Sequence, residues 1–353
     1  MSRRLVGGLV SAVAVGAAAG LTAERYTTGR ARVALDPQAG ESFLDVPADR
    51  VRAVAADDDV LLHVEELGPA DAELTVVFCH GYTQQLAVWH YQRQVLSADG
   101  GSRKLVLWDQ RSHGRSGRSS AERSTIDQLG RDLQSVLADC APTGHIVLVG
   151  HSMGGMTIMA LAEQRPELFG SRVVGVALMS TSTGKLADVT FGLPAAIGRV
   201  TGAVLPWLTR GMRARPRLFE RGRRMGTDLA FVATRRGAFG SSDVSPALVE
   251  FVEQMTASTP VDVIGEFYDT FRSHDKLTAI EVLADVETLV LVGSKDVVTP
   301  VKHSRVIAEF LPAALLVVVE GAGHMVQLER AALVTLQLQA LLRRASRARS
   351  RTA

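Results

Sequence analysis

Short apolar runs bounded by turn residues recur along the chain: Leu74 to Cys79, Lys104 to Trp108, Ile146 to Val149, Val173 to Met179, Thr288 to Val292 and Leu315 to Val319. Each has the length of a strand, and none alternates with polar residues, so these strands are expected to be covered on both faces. Between them lie longer stretches with helical spacing, such as Ile126, Leu129, Leu133, Val136 and Leu137. Val51 to Ala56 and Val60 to Glu66 flank Asp57-Asp58-Asp59 and read as a hairpin. The alternation of strand and helix predicts an α/β fold with a mostly parallel sheet and helices on both faces. It stops after Met179 and resumes at Thr288. Residues 184–285 mix Gly, Pro, Arg and apolar stretches, and are expected as a helical lid over the strand ends. Phe191 to Ile197 and Phe251 to Met255 are its candidates for lining a pocket. Ala331 to Leu342 reads as a closing helix, followed by a basic, disordered tail over 343–353.

At the other end, Arg3 and Arg4 precede an uncharged run from Leu5 to Ala23. At about 1.5 Å per residue it only just crosses a hydrocarbon core of roughly 30 Å. Its Ala/Gly content and the Ala17-Ala18-Ala19 sequence suit a secretory segment, so residues 1–23 are expected as a signal peptide or anchor, with membrane association or export favoured over the cytoplasm. Residues 24–46 read as a linker, leaving 47–183 and 286–342 as the core.

Composition narrows the function classes. With 353 residues, 46% hydrophobic and 22% charged, the chain can bury a large core and is not disordered. A formal charge of +2 excludes a surface built as a whole to hold nucleic acid. Ten Arg against Glu220 and Asp228 between Arg199 and Arg236 are read first as a solvated helical face, with contact to anionic lipid or an acidic partner as the rival. Cys79 and Cys140 are placed at opposite edges of the sheet and expected reduced; no Cys/His cluster has zinc spacing, so no metal is expected.

The chemistry is carried by Gly150-His151-Ser152-Met153-Gly154-Gly155, which stands between a strand and the apolar helical run Met156 to Ala162. G-x-S-x-G in a strand-to-helix turn lifts a serine off the sheet edge, near free N–H groups of the next helix. A serine needs a base, and the base a partner that fixes its tautomer. Asp296 follows the strand Thr288 to Val292 and His324 the strand Leu315 to Val319, both in turns at carboxyl ends. The order Ser152, Asp296, His324 follows. His151 is expected to point away from the site, and His63, His145 and His303 to serve packing or surface. The loop His80-Gly81-Tyr82-Thr83 can supply the Tyr82 N–H, and the helix the Met153 N–H, as an oxyanion hole. Asp109 to Ser116 reads as a further rim loop ordered by internal hydrogen bonds.

With these motifs the chain resembles the α/β-hydrolase superfamily over roughly Val51 to Leu342: His80-Gly81, Asp109 to Ser116, the Gly150 to Gly155 elbow, Gly293 to Asp296 and Gly323-His324 all match. The resemblance implies an eight-stranded sheet, a lid between strands six and seven, no cofactor and a Ser152-Asp296-His324 triad. The elbow is similar to that of monoacylglycerol lipases and haloperoxidase-type members. Ser152 argues against epoxide hydrolases and dehalogenases, which carry Asp there, and Tyr82-Thr83 departs from the glycine-rich loop of triglyceride lipases. The function expected is hydrolysis of carboxylic esters or lipids, with a membrane surface as a candidate partner and nucleic acid excluded. The alternatives are a C–C bond hydrolase or haloperoxidase-like enzyme using the same triad, and a non-catalytic binding protein on the same fold.

Overall fold

The computed structural model describes residues 36–98, 103–186, 207–225 and 227–352, with residues 221–225, 227–230 and 348–352 described by their backbone alone. The N-terminal apolar run and the Phe191 to Ile197 stretch lie outside the described residues. No helix among the described residues is long and apolar enough to cross a membrane.

Eight strands form one sheet: β1 (Arg50–Ala55), β2 (Leu61–Leu67), β3 (Leu74–Cys79), β4 (Arg103–Trp108), β5 (His145–His151), β6 (Val173–Met179), β7 (Glu287–Gly293) and β8 (Leu315–Val319). Their spatial order is β1-β2-β4-β3-β5-β6-β7-β8. The β1–β2 and β2–β4 pairs are antiparallel and the rest parallel. β3 leads outward to β4 on one side and β5 leads to β6 on the other. The winding therefore changes direction between β3 and β5, and the carboxyl ends at such a switch point are the place where α/β sheets bind ligands. The register aligns those ends: Cys79 pairs with Gly150, His151 with Met179, and Gly293 with Val319.

Side chains alternate across the sheet, and both faces are apolar because both are covered. On one face Val76, Phe78, Leu105, Val147, Ala177 and Leu289 meet α1 (His90–Ala98) and α10 (Ala331–Thr352). On the other Val77, Val106, Leu148, Val176 and Val290 meet α2 (Ile126–Cys140), α3 (Met153–Gln164) and α8 (Val301–Phe310). Each such side chain fully buried contributes about 1.5–3 kcal/mol. α2 begins where Thr125 accepts the Gln128 N–H through its side chain (3.2 Å), which stops that donor from going unpaired. Cys79 and Cys140 are both free and buried.

Between β6 and β7 the chain forms α4 (Pro216–Met225), α5 (Thr227–Ala238), α6 (Pro246–Ser258) and α7 (Val261–Ser273). A bridge between Gly184 and Asp275, with the Lys276 N–H on the Thr183 carbonyl (2.7 Å), closes the insertion at its base.

Three expectations need correction. Residues 36–43, read as linker, pack on the body: Phe43 stacks on Phe251 with centroids 4.6 Å apart, and Asp36 accepts the Ala247 N–H (2.9 Å) and the Ser245 hydroxyl (2.5 Å) at the start of α6. A carboxylate at a helix N-terminus finds orphan donors there, which polar composition does not reveal. The tail after Leu342 continues α10 because Leu338, Leu341, Leu342 and Ala345 extend one buried stripe, while Arg344 pairs with Glu287 at 3.0 Å. Phe251 and Met255, expected to line a pocket, are instead buried in the apolar core with Phe43 and Leu328.

Candidate active site

Only Ser152 separates β5 from α3, and its backbone sits at φ 53°, ψ −117°, a conformation L-residues rarely adopt. Surrounding bonds hold it: the Ser152 N–H donates to Met179 O (2.9 Å), and Thr181 Oγ1 donates to Ser152 O (2.7 Å). The glycines are needed for space. A Cβ on Gly154 would stand 2.0 Å from the Cys79 carbonyl oxygen, and one on Gly150 2.6 Å from the Gly154 backbone. That close approach sets the start of α3 against the end of β3: the Cβ on Gly154 would also stand 2.8 Å from the His80 oxygen. Ser152 is 8% exposed, and its hydroxyl is not engaged among the described residues.

Asp296 is fixed in its turn by the Val298 and Thr299 N–H groups on Oδ1 (2.9 and 2.8 Å) and the Thr299 hydroxyl on Oδ2 (3.0 Å). Oδ2 also lies 2.9 Å from His324 Nδ1. Burial opposes ionisation of Asp296, but the His324 contact and the Thr299 N–H and hydroxyl outweigh it and hold the carboxyl below its ordinary range. An ionised Asp296 can only accept, so the His324 proton resides on Nδ1 and the Nε2 lone pair is left for a substrate or nucleophile. The loops carrying the two residues interlock: Lys295 N–H donates to Ala322 O (2.9 Å), and a Cβ on Gly293 would stand 2.3 Å from that same oxygen.

His151 does not point away from the site. Its ring is buried 4.8 Å from the His324 ring, and Nε2 lies 2.9 Å from the His324 carbonyl oxygen. The last residue of β5 points inward because the sharp turn begins only at Ser152. Burial first, and His324 second, push the His151 imidazole down to about 3. The structure thus brings Asp296 and His324 into contact and links them to Ser152 through its neighbour.

The His80 loop is braced from below. His80 Nδ1 donates to Gly81 O (2.7 Å) and Nε2 accepts the Gln110 N–H (2.9 Å); burial, then His113, holds the ring neutral at a pKa of about 3. Gln110 Nε2 donates to His80 O (2.5 Å) and Thr157 to Gln110 Oε1 (2.7 Å), while Gln84 Oε1 accepts the Gly81 N–H (2.9 Å). The Tyr82 hydroxyl donates to the Ile264 carbonyl of α7, and its ring meets Phe271 edge-on at 5.0 Å. In the rim loop Asp109 accepts N–H groups of Leu86 and Arg115 (2.7 and 2.8 Å), and buried Arg111 forks onto Asp132 (2.6 Å twice) and Asp58 (3.0 Å twice). Among the described residues no group of His, Cys, Asp or Glu is placed to hold a metal ion.

Sequence reasoning missed Thr299, Gln84, Gln110 and the role of His151. Thr299 had a signal, an Asp three residues before a Thr-Pro pair, which is a local turn pattern. The two glutamines had none, because Gln110 binds His80 and Thr157 from other segments and Gln84 meets His151 and Met325 far along the chain.

The chain matches the family described as alpha/beta hydrolase fold over residues 75–331. It is 28% identical over 287 residues to the dihydrolipoyllysine-residue acetyltransferase component of an acetoin cleaving system from Pseudomonas putida, covering 80% of this chain and 67% of that one. It is 27% identical over 272 residues to an sn-1-specific diacylglycerol lipase of Mus musculus, covering 74% and 78%. A thermophilic esterase from Thermogutta terrifontis superposes with a TM-score of 0.63 at 23% identity, covering 84% of this chain and 99% of that one. With the strand order, the turn at Ser152 and a match across more than half its length, this chain belongs to the alpha/beta hydrolase fold family.

Proposed function

We propose that the protein is a serine hydrolase of carboxylic esters with a medium or long acyl chain. The observation that carries this reading is the Asp296–His324 pair, with Nε2 unengaged among the described residues, at the same rim of the sheet as a serine held at positive φ. Ser152 Oγ attacks the ester carbonyl as His324 Nε2 takes its proton, and Asp296 holds the resulting imidazolium. The Tyr82 and Met153 N–H groups receive the oxyanion. Collapse of the tetrahedral adduct breaks the bond to the alkoxy oxygen, which leaves with the proton from His324. Water, deprotonated by the same nitrogen, then frees the acid and restores Ser152.

An apolar chain is supported by the partly buried Tyr82, Leu186 and Phe271, which pack on the apolar cluster of Met153, Met156, Val263 and Phe267 next to the serine. The mouse relative's name, a diacylglycerol lipase, points the same way. Replacing Ser152 with Ala should abolish both turnover in an ester chain-length series and labelling by a fluorophosphonate; labelling that survives would refute the assignment. The N-terminal run supports a membrane-bound or exported enzyme acting on lipid, and fractionation of cells expressing the full chain tests it, a wholly soluble cytoplasmic pool counting against it.

A further inference from the structure

Glu329 ends α9 (Val326–Glu329), and the chemistry above makes no use of it. Its side chain is 1% exposed, yet it is fully occupied. Oε2 accepts the Gly323 N–H at 2.8 Å and the Gly240 N–H at 3.0 Å, and Oε1 accepts the Ser241 N–H at 2.8 Å. Gly323 immediately precedes His324. Gly240 and Ser241 follow α5 in the insertion. One buried carboxylate therefore joins the loop bearing the base to a strap of the insertion, Ala238 to Ser241.

Other contacts converge on the same junction. Met325, on the far side of His324, donates its N–H to Ala238 O at 2.8 Å, and Lys295, beside Asp296, reaches Gly240 O at 3.3 Å. The two backbones touch with no slack: a Cβ on Gly240 would stand 2.5 Å from the Gly321 oxygen and the Ala322 carbonyl carbon, and one on Gly323 2.5 Å from Gly240 N. A carboxylate taken out of water costs free energy unless its oxygens are hydrogen-bonded, and here its three hydrogen bonds go to the strap or to the residue before the base, with Arg330 Nη1 3.9 Å from Oε1. A brace serving stability alone has no reason to bracket His324 on both sides.

We propose that Glu329 is a positioning residue: by locking Gly323 to the strap it sets the orientation of the His324 imidazole, so that the base reads the seating of the insertion. This rests on the hydrolase reading. The test compares the wild-type chain with Glu329→Ala, Glu329→Gln and Gly240→Ala. Three quantities are measured: kcat and KM on a p-nitrophenyl ester, the rate of fluorophosphonate labelling, and the low-field proton resonance of His324 Nδ1–H. Glu329→Ala is expected to lower kcat about tenfold or more, as small misplacements of catalytic groups do, with KM within about threefold, and to shift or broaden the resonance. Glu329→Gln keeps one oxygen to bridge Gly240 and Gly323 and is expected to recover kcat to within about threefold of wild type. Gly240→Ala, which forces the strap away from the other side, should act like Glu329→Ala. Unchanged kcat and resonance in the two alanine variants, or a loss that Gln does not recover, overturns the proposal. If Glu329→Ala does not fold, a folded Gly240→Ala with wild-type kcat and resonance overturns it equally. A wild-type chain that neither turns over esters nor labels sinks the hydrolase reading instead, and the resonance still reports whether the brace holds His324.

Discussion

His151 Nε2 lies 2.9 Å from the main-chain carbonyl of His324, so the residue before the candidate nucleophile holds the backbone of the candidate base. The two rings are 4.8 Å apart, and Gln84 sits behind, 3.2 Å from His151 Nδ1. One turn thus orients Ser152 and helps hold the backbone of His324. Replacing His151 with Phe keeps the ring volume and removes that bond. The expected outcome is a kcat lowered about 10-fold or more with KM little changed. Steady-state kinetics check it, and wild-type kcat in the variant would show that the contact is packing only.

Asp296 accepts the His324 Nδ1 proton and three further donors. An amide at this position can present N–H to Nδ1 and so favour the wrong tautomer. Asp296→Asn is expected to lower kcat by roughly 10³–10⁴-fold while leaving the fold intact. Kinetics beside a thermal melt test this, and activity near wild type would remove Asp296 from the proposed triad.

Three buried imidazoles make the protein sensitive to acid. Burial is the leading cause that pushes His80, His113 and His151 from 6.5 down to about 3, 4 and 3. The unfolded chain therefore binds protons that the folded chain refuses as pH falls through 6.5, and stability present above that value is lost on the acid side. Each histidine contributes about 1.3 kcal/mol of loss between pH 7 and 5.5, or about 4 kcal/mol for the three. Urea midpoints at the two pH values measure it. Equal midpoints would mean that these rings are not held neutral.

The buried pair of Arg111 and Asp132 should be costly to break and cheap to replace. Arg111 Nε and Nη2 each stand 2.6 Å from an Asp132 oxygen, with both side chains fully buried. Asp132→Ala is expected to destabilise by about 3–5 kcal/mol because it strips a buried guanidinium of its main partner, although Asp58 remains. The double variant Arg111→Met with Asp132→Leu should cost much less. Denaturation of single and double variants separates the two, and equal losses would contradict the reading.

The order and type of the strands, the helix over Ile126 and the turn at Ser152 follow from local pattern. An apolar run of four to seven residues fits a doubly covered strand, and small residues around a serine are required wherever a strand turns sharply into a helix. The contact of Asp296 with His324 could be anticipated because both stand in turns at the carboxyl ends of neighbouring strands. The inward ring of His151, the brace of Gln110 under His80, the clasp of Glu329 on Gly240 and the seating of Phe43 on Phe251 were not. Each joins segments far apart in the chain through hydrogen bonds or a ring contact, and no local periodicity encodes such a partner. Sequence determined which groups could do the chemistry; only the packing of the insertion and the loops against one another decided how they are held.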